Sequence, residues 1–472
     1  MFSENKSLKT PPFPLSNWFR FIGRRDLGVF GSFDATQRSS PECGKEGGRL
    51  IEMKFILTTF LALVVVSAIF AQTGNDVADQ GLAAGTELAQ AIADKNFAGT
   101  MSKLATKVGP YLGMVGPVIG ILFSLAGASQ DSAELQFMRN MLAKIENRFD
   151  QVDQRLDDIA RKIDWNAVRI QFFSFEKKIL PMKIELDKFF NASNNDELTS
   201  FQNAFTNMFE CVYENSGQML YDHIISGEST FSSNLLVEAM RANEYDRKEI
   251  QVFMLGLTKL MLVGSQIEMA YYKLKHPSSL DRLKTKWSAQ MIKLSQAMNA
   301  ADREVMVKYR DVAMKDAKRI LTFNKGAKNQ DVAKAVYSKL STKFYWRNWF
   351  VAVYNAIGGD NNHQVWVCNG GISLRQDGFN LLVASNSENT AALNQNTAKG
   401  IINGATMVKK GWWFNKRNLN AKEIFDGVST VRSCSKYSGF GVIKSNANFH
   451  AKAESSRLVT SNRGSYLFFL FH

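Results

Sequence analysis

From Leu135 the apolar positions fall at Met138, Leu142, Ile145, Phe149, Val152, Leu156, Ile159 and Ile163. The steps alternate three and four without a break, which is the period of a coiled-coil seam. The positions between carry mixed charge, including Arg139, Lys144, Glu146, Asp150, Arg155 and Asp158. The spacing predicts a long helix that packs against another helix in water. Directly before it, Val108 to Gly127 carries no charge and has glycine at 109, 113, 116, 120 and 127. This run has two readings. An uncharged, glycine-spaced run is the composition of a buried hairpin inside a helical bundle. It is equally the composition of a segment stored against the bundle and released into lipid. Small residues let helices approach closely, and roughly twenty residues is the length a bilayer core requires. Pro110 and Pro117 argue against one straight helix. The insertion candidates are Gly109, Gly113, Gly116, Gly120, Ile121, Leu122 and Phe123, expected to be covered in water by the heptad helix and by the apolar residues 252–263.

Helical patterning extends over most of the first three quarters of the chain. A small-residue segment from Gly81 to Asp94 reads as a first helix. Another pattern runs through Trp165 and Phe175 to a break at Pro181, then resumes to Phe190. Asn195-Asp196-Glu197 is an N-cap signal for a helix continuing towards Tyr221, and Asn234 and Asp246 open two more. Val252 to Val263 is apolar on nearly every face, which places it at the centre of a bundle. A break at His276-Pro277 precedes a charged amphipathic helix to Phe323; Asn324-Lys325-Gly326 stops it, and Asp331 begins a short helix to Lys343. The period then changes. Tyr345–Tyr354, Gln364–Cys368, Asn380–Ser385 and Gly439–Ile443 are β-branched and aromatic, with Gly358-Gly359 and Gly370-Gly371 as turns. Residues 389–402 suit a small helix packed on the strands. The fold class is α+β: an N-terminal long-helix bundle with a coiled-coil-like helix (72–343), then a C-terminal β-rich domain (344–472). The 472 residues exceed one ordinary domain, which agrees with that division.

The stretch from Met53 to Ala71 has the anatomy of a secretory signal peptide: a basic start, an apolar core and a small residue before Gln72. Residues 1–52 are then an upstream extension outside the mature protein; the alternative is a signal anchor with a short cytosolic tail. Cysteine usage fits secretion. Cys368 and Cys434 lie in the same C-terminal region and can form one disulfide, whereas Cys211 sits on a helical pattern and reads as a buried free thiol. Asn191-Ala192-Ser193 is a glycosylation triplet between helices.

A formal charge of +14 calls for an anionic partner. Extracellular placement points to an anionic lipid surface or a cell-surface glycan and away from nucleic acid. The basic residues concentrate beside aromatics at Lys409, Lys410, Trp412, Trp413, Phe414, Lys416 and Arg417. Indoles settle at headgroup depth while cations meet anionic lipid; the same residues suit glycan stacking, or a β-hairpin whose aromatics enter the core. Catalytic patterns are missing. There is no nucleophile elbow, phosphate loop, dinucleotide fingerprint or His-Glu-x-x-His, so neither an enzyme nor a cofactor is expected. The histidines His223, His276, His363, His450 and His472 are scattered, and Asp360-Asn361-Asn362-His363 reads as a polar turn before a calcium site.

Taken together, the signal peptide, the apolar glycine-rich run and the segment from Leu135 to Ile163 with its following helices resemble the helical domain of box-jellyfish pore-forming toxins and their relatives. That domain is in turn similar to the pore-forming bundle of insecticidal crystal toxins. The resemblance covers residues 100–275. It implies membrane permeabilisation by rearranged bundle helices, a homo-oligomer on the membrane, and a β-rich domain for surface recognition. The competing expectation is a secreted binding protein in which the bundle is a scaffold and the C-terminal domain recognises glycan or protein.

Overall fold

The structure, a computed structural model, describes residues 96–125, 166–192, 194–226, 234–368, 370–410, 416–428 and 431–472, together with Ala84, Glu87, Leu88, Gln90 and Ala91. The upstream residues 1–52, the signal-like segment 53–71, the heptad segment 135–163 and the Trp412-Trp413-Phe414 triplet lie outside the described residues. The chain divides into two compact units, residues Met1–Glu244 with Lys248–Glu304, and Tyr245–Arg247 with Val305–His472.

The first unit is helical. Its elements are α1 (Phe97–Leu125), α2 (Asn166–Asn191), α3 (Asn195–Met208), α4 (Ser216–Ile225), α5 (Leu235–Ala242) and α6 (Arg247–Lys275). The helix α7 (Leu280–Phe323) belongs to this unit as far as Glu304 and to the second unit from Val305. Asparagines start two of them. Asn194 accepts from the Glu197 amide at 2.8 Å, and Asn234 accepts from the Leu236 and Val237 amides at 2.9 and 3.2 Å, satisfying donors that have no intrahelical partner. α6 is buried without interruption from Val252 to Ala270. α7 presents Trp287, Met291, Leu294, Met298 and Ala301 as one buried stripe, the steps of four and three that keep a single helix face inward.

Three expectations are corrected here. The glycine-rich run is not a hairpin: α1 is one helix of 29 residues that passes through Pro110 and Pro117. Each proline follows a glycine, Gly109 and Gly116, and the missing Cβ removes much of the clash that disfavours helix before proline. α2 likewise continues through Pro181. The helix begun at Asn195 stops at Met208. A π-helical turn, Phe209–Tyr213, follows, and left-handed Glu214 (φ 47°) and Asn215 (φ 57°) break the chain before α4.

The second unit is layered. Its further elements are α8 (Asn329–Lys343), β1 (Arg347–Asn355), β2 (His363–Val367), β3 (Ile372–Gln376), β4 (Phe379–Ser387), α9 (Gln395–Gly404), β5 (Val408–Lys410), β6 (Lys416–Asn418), α10 (Ala421–Asp426), β7 (Gly439–Lys444), β8 (His450–Lys452), β9 (Leu458–Arg463) and β10 (Tyr466–Phe471). Two four-stranded sheets, ordered β3-β4-β1-β8 and β2-β7-β10-β9, have antiparallel neighbours throughout. Strand alternation sorts the side chains. Phe350, Ala352 and Tyr354 of β1 meet Phe469 and Phe471 of β10 between the sheets. Tyr466, Phe468 and Leu470 point the other way, onto Ile402 of α9 and Ile424 and Phe425 of α10. α8 packs on β1 and β8. The central strands β1, β4, β7 and β10 are therefore covered on both faces and read as nearly continuous apolar runs. Phe350 stacks on Phe469 and Phe471 with ring centroids 4.9 and 5.4 Å apart. Gly441, opposite Phe469, leaves room for that ring: a Cβ there would lie 2.2 Å from it.

The predicted disulfide is present. Cys368, just after β2, is bonded to Cys434, ahead of β7, with Cα atoms 5.5 Å apart. Cys211 corrects the reading of a buried free thiol. It is half-buried and disulfide-bonded.

Candidate functional site

The first unit buries chemistry that an ordinary helical core avoids. α4 and α6 cross at two glycines, and a Cβ on Gly264 would stand 3.2 Å from the Gly217 Cα. The π-helical turn delivers Tyr213 to this crossing. Its hydroxyl accepts from the Gly217 amide at 3.0 Å and sits 3.2 Å from the Gly264 carbonyl and 3.3 Å from Glu268 Oε1. Trp287 Nε1 donates to Glu268 Oε2 at 2.9 Å. Glu268 is thus a carboxyl in the interior, 4% exposed, held by an indole and a phenol. Burial pushes its pKa above the usual carboxylate range, and the Trp287 hydrogen bond and the Lys286 charge pull it part of the way back. Burial raises Tyr213 well above an ordinary phenol, with the Glu268 charge second. Two residues before Glu268, the Gln266 amide is fully buried and neither its oxygen nor its nitrogen has a partner. All of this rides on α6, which is long and apolar enough to cross a membrane and whose most apolar window is wholly buried.

Of the insertion candidates, Gly109 and Gly113 are described in full. A Cβ on Gly109 would lie 3.4 Å from Ser288 Oγ and 3.9 Å from Ser288 Cβ; one on Gly113 would lie 3.0 Å from Lys284 Nζ. The start of the run is therefore seated on α7, with Val108, Tyr111 and Leu112 buried at 1% exposure or less. Gly116, Gly120, Ile121, Leu122 and Phe123 continue the same helix, and their side-chain surroundings lie outside the described residues. Cover by the heptad segment falls outside them too.

The basic-aromatic stretch is a hairpin stem. β5 pairs with β6 antiparallel, Lys409 opposite Arg417 and Lys410 opposite Lys416, and every residue of both strands is exposed. Arg417 is engaged by both carboxylate oxygens of Glu423, at 2.9 and 2.5 Å. Arg417's hydrogen bonds, then the Asn420 amide, bring Glu423 down to about 2. The other stem cations, Lys409, Lys410 and Lys416, face solvent. Asn191 ends α2 and Ala192 follows it; Ser193, the third residue of the triplet, lies outside the described residues. The turn around Asp360 is closed by its own bonds: Asn362 Nδ2 donates to the Gly358 carbonyl at 2.7 Å, and His363 Nδ1 lies 2.7 Å from the Tyr354 hydroxyl. Among the described residues no cluster of His, Cys, Asp and Glu suited to a metal is found.

Residues 128–327 match the family model described as the cephalotoxin-like middle helical domain. No curated protein and no solved structure matches the chain. The helical region is thus similar to a toxin-type domain, and the match holds for less than half of the sequence. It takes in the heptad segment and α2 to α7 with the Tyr213–Glu268–Trp287 constellation. α1, the sheets and the basic hairpin lie outside it. The sequence marked Val252–Val263 as a central helix but not the buried carboxyl that follows. Its signal was available: Lys259, Gln266 and Glu268, with Thr258 and Ser265, interrupt the apolar residues of a helix that is buried on all faces.

Proposed function

We propose that this is a secreted, membrane-active protein of the pore-forming-toxin kind, acting through its helical region. α6 carries the reading: a helix of membrane-spanning length and apolarity lies wholly buried within a segment that matches a toxin-type helical domain. The wider resemblance to box-jellyfish toxins and crystal-toxin bundles supplies the mechanism. α1 and α6 leave their buried places and exchange protein contacts for lipid. The heptad segment masks them beforehand or drives oligomerisation afterwards. The polar groups of α6 then face one another or a water-filled interior, because charged and polar groups are costly against lipid tails. The stem lysines Lys409, Lys410 and Lys416 dock on anionic headgroups. The Cys368–Cys434 bond suits an oxidising compartment.

A core helix of a soluble bundle shares the length and burial of α6, so permeabilisation separates the two cases. Protein beginning at Gln72 is expected to release dye from anionic liposomes in a concentration-dependent way. No release at any concentration would overturn the proposal and leave the alternative, a secreted binding protein working through its C-terminal domain. The exposed basic hairpin favours that second reading.

A further inference from the structure

The second unit has an open flank where β3 and β2 are edge strands of their two sheets. A cleft of about 290 Å³ lies there, between Tyr354, His363, Ser373 and Arg375, with Ile357 and Leu382 as apolar wall. Its polar groups are positioned rather than free. Asn380, 5% exposed, donates to the Asn355 and Ile357 carbonyls at 3.0 and 2.7 Å and fixes the chain after β1. Arg375 donates from Nη2 to the Ala356 carbonyl at 2.9 Å. Its other terminal nitrogen lies beside Gly358, where a Cβ would come within 2.8 Å. A guanidinium carries five N–H groups in a rigid fork, and the Ala356 carbonyl takes one of Arg375's. The Tyr354–His363 contact at 2.7 Å fixes the imidazole. The acidic neighbour of His363, Asp360, is exposed.

Donors in a fixed fork match a planar carboxylate. The apolar wall asks for a ligand with a carbon face as well, which an inorganic anion lacks. The volume sits at the small end of ligand cavities, which start at about 300 Å³, and that admits a single ring. We propose that the cleft bounded by Arg375, Ser373, His363 and Tyr354 is a binding site for a carboxylated sugar. Arg375 takes the carboxylate, Ser373 a ring hydroxyl, and Ile357 and Leu382 the carbon face. This goes beyond the membrane reading and does not depend on it.

The test is calorimetric titration of the full chain with glucuronate, glucose and inorganic phosphate. Glucuronate should bind in the roughly millimolar range of a single small ligand, with glucose at least about tenfold weaker for want of the charge. Arg375→Gln should weaken glucuronate by about tenfold or more, and Ser373→Ala by a few-fold, on the general worth of charged and neutral hydrogen bonds. Both residues are exposed, so both variants should melt as the parent does. Failure of the parent to bind glucuronate overturns the site. So does undiminished binding by Arg375→Gln. Phosphate binding as tightly as glucuronate overturns the sugar class.

Discussion

The two units treat buried polarity in opposite ways. In the helical unit, Gln266 has both amide atoms buried without a partner, and Glu185 Oε2, Asn243 Oδ1 and Gln290 Oε1 are in the same position. Among the described residues of the β-rich unit, His472 Nδ1 is the corresponding atom. Both units also bury charge in pairs: Lys183 with Asp187 in the helical unit, and charged groups of the β-rich unit in pairs or against carbonyls. Lys343 meets Asp316 at 2.8 Å, and Arg457 donates to the Thr390 and Ala391 carbonyls at 2.8 and 3.3 Å. Among the described residues the helical interior therefore holds more unsatisfied polar atoms than the sheets do, of a kind that costs about 1–3 kcal/mol when a whole group is left unpaired. A fold that keeps such groups inside is closer to exchanging them for another environment. A fold that satisfies them is built to stay.

The largest effect that probes this contrast is in the sheets. Phe469 is fully buried and stacks on Phe350 and Phe449 between the layers. Phe469→Ala should lower stability in denaturant titration by about 3–5 kcal/mol, the usual cost for a buried phenylalanine. A loss below about 1 kcal/mol would mean that the sheet interface adapts as readily as a loosely specified interior.

The contrast sharpens with pH. Glu268 has a folded-state pKa raised by burial. Its contribution to stability is therefore present below its unfolded value and lost as pH rises through the folded one. Acidification from neutral should strengthen this part of the helical unit. Glu268→Gln should flatten that dependence, since an amide can accept from Trp287 and donate to Tyr213. In the β-rich unit, Glu423, Asp426 and Glu454 are lowered by hydrogen bonds to Arg417, Lys422 and Ser456 respectively. Their contributions are present above the ordinary carboxylate range and lost as pH falls through the lowered values. Chemical denaturation across pH, followed by tryptophan fluorescence of parent and Glu268→Gln, checks the sign. Parallel curves for the two proteins would remove Glu268 from the account.

How much of this was legible depended on what each element hides. β1, β4 and β7 stood out because sheets covered on both faces need apolar residues at every position, as in Phe350 to Tyr354. β8, with His450 and Lys452, and β9, with Ser461 and Arg463, are edge strands of mixed polarity and carry no such signal. The helix caps at Asn194 and Asn234 follow from local chemistry and stood within one residue of where the sequence put them. The prolines misled. Proline spacing alone does not reveal that a preceding glycine relieves the strain, as Gly109 and Gly116 do in α1. The Tyr213–Glu268–Trp287 constellation joins residues 55 and 19 positions apart, and no local pattern announces it.

The smallest effect concerns docking. Lys409→Glu with Lys410→Glu leaves the sheets untouched, since both side chains are exposed. Each lysine near an anionic membrane surface is worth about 1 kcal/mol, so vesicle co-sedimentation should weaken at least about thirtyfold for the pair. Unchanged binding would move docking away from the hairpin and leave the helical unit to find the membrane alone.

The central claim is that α1 must leave α7 for the protein to act on a membrane. Gly109 and Ser288 offer the lock, because a Cβ on Gly109 would lie 3.9 Å from Ser288 Cβ, within the usual spacing of a disulfide. The measurement is dye release from anionic liposomes by the Gly109→Cys/Ser288→Cys protein, oxidised and then reduced, beside the parent treated in the same way. The account predicts no release by the oxidised double variant, recovery on reduction, and release by the parent in both conditions. Equal release by the oxidised and reduced double variant would contradict it.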